Sequence, residues 1–199
     1  MRLRLKSLIL ALFLALPAAA SAGPTPEATI DTLNAGLLDA MTHTGGNYQT
    51  RLERLDPLMQ AAFDYDHMAQ VAIGKYWSSL SEADKQKYLD LFSQVSVAAA
   101  ASRFRETTGV AFQITGTRPG PQGTTLVDTT LKVGSGDPRK ITYLLQQSGS
   151  DWRAIDVYYE GTVSELATKR SEYTSVIKMQ GLEGLFAAMQ KKLTDYAKE

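Results

Sequence analysis

Two places in this 199-residue chain gather side chains able to do chemistry. The first is Asp64-Tyr65-Asp66-His67, two carboxylates and an imidazole in a row of four. Such a group suits metal ligation or general acid–base catalysis. Its spacing serves neither well, because successive residues of a helix point in different directions. The other assignment makes Asp64 a helix N-cap, its carboxylate accepting a free backbone N–H, and leaves His67 on the surface. The second place is Glu165, Lys169, Arg170 and Glu172. Glu165 and Lys169 are four apart and are expected to pair on a solvated helix face. Arg170 is singled out from that face, since a guanidinium beside an apolar cleft can hold a phosphate or carboxylate by two parallel hydrogen bonds. The remaining repertoire is thin. There is no cysteine, His43 and His67 are the only histidines, and G-x-S-x-G, H-E-x-x-H and phosphate-cradling glycine motifs are all missing. No catalytic residue, metal site or cofactor is assigned.

The elements that must position these residues read clearly. From Glu27 to about Asn47, Ile30, Leu33, Leu37, Leu38 and Met41 recur at helical spacing until Gly45-Gly46 stops them. A second helical stretch, Tyr48 to Ala62, is expected to break near Asp56-Pro57. A third runs from Asp64 to Ile73 and ends at Gly74, placing the Asp64–His67 group on its first turn. Ser81-Glu82-Ala83-Asp84 opens a long helix with a capping-box pattern. That helix extends to about Glu106, its apolar side formed by Tyr88, Leu91, Phe92, Val95, Ala98 and Ala99. From Val110 the period falls to two. Phe112 and Ile114, then Val127 to Val133, then Ile141, Tyr143 and Leu145, then Ile155, Val157 and Tyr159 mark four strands joined by turn-rich segments. After Glu160-Gly161 the helical period returns from Val163 to Met179, stops at Gly181, and resumes from Leu182 to Tyr196. The expected fold is α+β: a four-stranded antiparallel meander with N- and C-terminal helices packed on one face.

The start of the chain bears on where it works. Arg2, Arg4 and Lys6 precede the apolar run Ser7–Leu16, and small residues follow, ending in Ala20-Ser21-Ala22. Residues 1–22 thus have the form of a secretory signal peptide cut after Ala22. The alternative is an uncleaved anchor, but a membrane-crossing helix needs roughly 20 apolar residues, about twice this run. The expectation is one mature domain, residues 23–199, in the periplasm. Three of the 21 basic residues leave with the leader, so 18 basic side chains remain against 21 acidic ones. Nucleic-acid binding needs a basic surplus and is not expected. Without cysteine there is no disulfide and no lipoprotein attachment site, so an exported domain must hold itself together by its core.

The aromatic stock is larger than hairpin packing requires. Trp77, Phe92 and Phe104 accompany the long helix, and Tyr143, Trp152, Tyr158 and Tyr159 the strands, while the helix turns to Ala98-Ala99-Ala100-Ala101. Small residues opposite large ones either let the helix sit close or leave a void, and a void there would be an apolar ligand pocket. If a void, it is walled on the sheet side by Val127, Leu131, Ile141, Tyr143, Ile155 and Val157 and on the helix side by Phe92, Val95 and Ala99.

Several of these residues carry a resemblance. Phe63-Asp64 through Met68-Ala69, Ile73-Gly74, Trp77 and Phe92 on a long helix resemble the MlaC / toluene-tolerance auxiliary family of periplasmic lipid-binding proteins. So do, in the same order, Ile141–Tyr143, Gly149–Trp152, Asp156-Val157, Glu160-Gly161 and Arg170-Ser171. Ser164 to Tyr173 (SELATKRSEY) looks closer to the hopanoid-associated, HpnM-like branch. The resemblance implies a carrier, not an enzyme, that holds phospholipid or hopanoid tails in an apolar cavity. It implies ferrying between an outer-membrane lipid donor or acceptor and an inner-membrane ABC transporter complex, as a monomer. Trp77, Phe104, Tyr159 and Arg170 join the wall residues above as candidate lipid contacts. Two other readings stay open: a small hydrolase or isomerase on a cone-like α+β scaffold using Asp64, Asp66 and His67, and an interaction module with a filled core.

Overall fold

Thr25 stands just before a proline and a glutamate, and helix α1 (Pro26–Thr42) begins there, the Thr25 hydroxyl accepting the amide of Ala28 at 3.2 Å. The computed structural model describes residues 23–43, 47–105 and 108–198. The leader, the Gly45-Gly46 stop and Glu106 lie outside these. Helix α2 (Tyr48–Ala62) continues through Pro57, where a break was expected. Pro57 supplies no N–H to the carbonyl of Glu53, yet both residues are exposed, so water can serve that carbonyl and the helix survives. Helix α3 (Tyr65–Ile73) starts at Asp64 and ends at Gly74, whose φ of 52° and ψ of −120° suit a residue without Cβ. After a 3₁₀ segment, Gly74–Ser79, helix α4 (Glu82–Arg103) opens with the Ser81 hydroxyl accepting the Asp84 amide at 3.1 Å.

The sheet runs β1 (Val110–Pro119), β2 (Thr125–Val133), β3 (Arg139–Ser148), β4 (Asp151–Tyr159) and β5 (Val163–Ser164), each antiparallel to its neighbour in chain order. The meander is therefore five-stranded, not four-stranded. Strand β5 has only two residues, opposite Tyr158 and Tyr159, before Ser164 becomes the cap of the next helix. Two residues cannot display an alternation, so the sequence pattern missed it. A bulge between Leu144 and Leu145 changes the register on β4. Ala154 then faces Leu145 and Val157 faces Tyr143, which turns Ile155 out of the inner row and brings Ala154 in.

Helix α5 (Glu165–Tyr196) breaks at Gly181, with φ 71° and ψ −174°, into the two arms expected from sequence. Leu166, Lys169 and Tyr173 are buried along the first arm and Leu185, Phe186 and Met189 along the second. Helix α1 crosses the sheet over β1, β2 and β4, whereas α4 packs against α2, α3 and α5. The core between them is a run of rings. Tyr65 stacks on Phe63 at 5.5 Å and meets Phe92 edge-on at 6.2 Å, and Phe92 in turn contacts Tyr88 at 6.0 Å and Tyr173 at 6.2 Å. Among the described residues no helix is long and apolar enough to cross a membrane.

Candidate functional site

Because α4 rests on other helices, its alanine turn stands off from the sheet, and a cavity opens in the gap. Ser96, Ala99, Ala100 and Arg103 of α4 form one wall, with Phe104 just beyond the helix end. Ile141 and Tyr143 of β3 and Val157 and Tyr159 of β4 form the opposite wall. The floor comes from Leu33 and Leu37 of α1, Met59 and Phe63 at the end of α2, and Tyr65 and Met68 of α3. The space between these atoms, its open mouth included, is about 640 Å³, of which about 60 Å³ is cavity in the strict sense. An engineered apolar cavity that takes one benzene measures ~150 Å³. An acyl chain therefore fits only if the walls move apart, and the half-buried Ser96, Ala99 and Tyr159 mark the side that faces water.

Three charged residues line this otherwise apolar space: Arg103, Glu165 and Lys169. Their placement starts from Asp156 on β4. Its carboxylate, itself buried, accepts the amides of Val157 at 2.7 Å and Leu166 at 3.0 Å and the hydroxyl of Ser164 at 2.6 Å. The Ser164 hydroxyl also accepts the Ala167 amide at 2.9 Å, capping α5. Helix α5 thus begins at a fixed point, and its first turns aim Glu165 and Lys169 at the cavity. Lys169 is 8 % exposed, its ammonium 3.4 Å from the Glu165 carboxylate and 5.7 Å and 5.8 Å from the ring centres of Phe92 and Tyr173. Burial pushes its pKa down, and Glu165 opposes that shift. The Arg103 guanidinium lies 4.4 Å above the Tyr159 ring. Burial raises the Tyr159 phenol to about 12, with Arg103 pulling the other way. The Tyr65 hydroxyl is buried at the floor and has no hydrogen-bond partner among the described residues.

The sequence-selected residues divide between this cavity and other places. Ala99, Phe104, Ile141, Tyr143, Val157 and Tyr159 line it. Phe92, Val95 and Val127 are fully buried behind the lining. Leu131 belongs to a separate hollow at the β2–β3 turn, and Ile155 sits at the bulge. Trp77 packs 6.5 Å from Tyr88 at the start of α4, away from the cavity. Arg170 is exposed one residue past Lys169, beside Gly74 in a surface cleft shared with Lys75 and Lys178. A helix rotates roughly 100° per residue, so Lys169 and Arg170 cannot both face the cavity. Lys169, expected on a solvated face, is the buried one. Its signal was present: Leu166, Lys169 and Tyr173 share one helix row, and the outer two are apolar. The Asp64 carboxylate accepts the His67 amide at 2.9 Å as the cap of α3, while Asp66 and His67 are exposed. Among the described residues no group of three or more carboxylates and histidines is placed to hold a metal.

The family model described as "MlaC protein" matches residues 27–191. A solved structure of a phospholipid-binding protein from Ralstonia solanacearum, in complex with a phospholipid, superposes with a TM-score of 0.76 at 20 % identity. The match covers 86 % of this chain and 98 % of that one. No curated protein matches the sequence.

Proposed function

This chain belongs to the MlaC family, and on that premise we propose that it is a periplasmic lipid carrier. It takes up phospholipid or a hopanoid-type lipid, the latter as in the HpnM-like branch, and passes it between an outer-membrane partner and an inner-membrane ABC transporter complex. The observation that carries the reading is the cavity: apolar at its floor, charged at its rim, and bounded by α1 to α5 together with β3 and β4. A buried CH₂ group is worth ~0.8 kcal/mol, so lipid chains do not cross water unshielded. Inside such a cavity they stay buried, and exchange with a bilayer can run near thermoneutrality. The phospholipid complex of the Ralstonia protein, on the same fold, supports the ligand class. The reading includes removal of residues 1–22 on export.

Purified, lipid-free protein is expected to speed the movement of labelled phospholipid between two vesicle populations. Replacing Asp64, Asp66 and His67 together by Ala should leave that rate within a few-fold, apart from about 1 kcal/mol of stability lost with the Asp64 cap. No acceleration over vesicles alone contradicts the carrier reading. Loss of function in a folded triple variant would favour the hydrolase or isomerase reading instead.

A further inference from the structure

A lysine is costly in an apolar cavity, and here it is held among aromatic rings within reach of one carboxylate. We propose that Lys169, with Arg103 on the lining of the same cavity, anchors the phosphate of a phosphodiester lipid, and that Glu165 stands in for this phosphate in the lipid-free protein. The inference rests on the carrier reading and deepens it by naming the headgroup chemistry.

The charges at the rim make the case. Arg103, Glu165 and Lys169 are the charged residues of the lining, two cations to one carboxylate. Among the described residues no carboxylate forms an ion pair with Arg103. A single negative charge completes the set, and a phosphodiester brings one on tetrahedrally disposed oxygens that both cations can donate to. A headgroup without phosphate, such as a neutral polyol, leaves the surplus unmet. The layout fits a lipid's own order: chains toward Leu33, Met59 and Tyr143, phosphate at the mouth where Arg103 and Glu165 reach water. Glu165 is able to yield its place, because it is only half-buried and heads α5, where the helix dipole favours its charge. Its carboxylate therefore turns to solvent at little cost when phosphate takes Lys169.

The test compares uptake of phosphatidylglycerol and of diacylglycerol with the same acyl chains, each from vesicles, read by native mass spectrometry. Wild-type protein should prefer the phospholipid, and Lys169→Met, which keeps the apolar stem, should cut that preference by about tenfold or more. Glu165→Gln should raise phospholipid uptake, since the competing charge is gone, and it decides the matter alone if Lys169→Met fails to fold. Equal uptake of the two lipids by wild type, or an unchanged preference in the variants, overturns the anchor and leaves the carrier standing. Uptake of neither lipid overturns the carrier reading itself. Glycerophosphoglycerol, the same phosphodiester without chains, should not displace bound lipid. Displacement by it would make this a site for a soluble phosphodiester and overturn the lipid anchor.

Discussion

Ala99→Phe is expected to empty the protein of lipid while leaving it folded. Ala99 lies half-buried on α4, at the side where the cavity faces water. A ring attached there can lie across the mouth, against Tyr159 and the apolar part of the rim, in space that acyl chains would otherwise cross. Overpacking a closed interior typically costs about 1–3 kcal/mol. A ring placed at an open rim escapes most of that strain and gains apolar contact, so thermal stability of the lipid-free variant should stay within about 1 kcal/mol of the parent. Bound lipid should fall by about tenfold or more, because excluding even two or three CH₂ groups removes over ~1.4 kcal/mol of burial. Thermal unfolding and lipid content measured on the same preparation decide it. A variant that unfolds easily while its folded fraction keeps a full lipid load would place the binding space elsewhere.

Asp156→Ala should be the most damaging single change to the scaffold of the site. One buried carboxylate accepts three hydrogen bonds there, from Val157, Leu166 and Ser164, and so ties β4 to the start of α5. Removing it leaves the buried amide of Leu166 and the cap hydroxyl of Ser164 without their acceptor. Hydrogen bonds to a charged group contribute about 1.5–3 kcal/mol each but do not add fully, so a loss of about 3 kcal/mol or more is expected. For a domain of this size that lowers the melting temperature by roughly 6–12 °C. Asp156→Asn keeps one acceptor oxygen and should lose about half as much. Unfolding of Asp156→Ala within 1 kcal/mol of the parent, an amount usual for a surface change, would show that something else fixes the start of α5.

The fold was largely legible because its periods are clean. Alternation in Val127–Val133 and in Ile141–Leu145 is enough to place β2 and β3, and Gly181 parts the two arms of α5 as a residue with positive φ should. The failures are local and have physical causes. Strand β5 is too short to show a period, and the Ile155 bulge shifts one parity that a strict period of two would keep. At Pro57 an exposed carbonyl let the helix continue. The site was only half legible. Ala99, Tyr143 and Val157 follow from small residues facing large ones, but Leu33, Met59 and Phe63 reach the cavity through the crossing of α1 and the turn between α2 and α3. That arrangement depends on long-range contacts, including the amide of Asp64 donating to the Ala154 carbonyl at 3.0 Å, and no local pattern encodes it. Arg170 has the chemistry for an anion but not the position, being exposed. Its neighbour Lys169 shares an apolar row with Leu166 and Tyr173, and that row, not the side-chain type, marks the buried residue.

The central claim, that this cavity carries lipid in the periplasm, is tested most directly by native mass spectrometry of the protein released from the periplasm of its host without detergent. The expected spectrum shows a chain beginning at Gly23 with a lipid bound, and fragmentation of that lipid yields a phosphate-bearing headgroup. A bare chain that also takes up no lipid from vesicles would contradict the account, as would recovery of the full 199-residue chain from the membrane fraction alone.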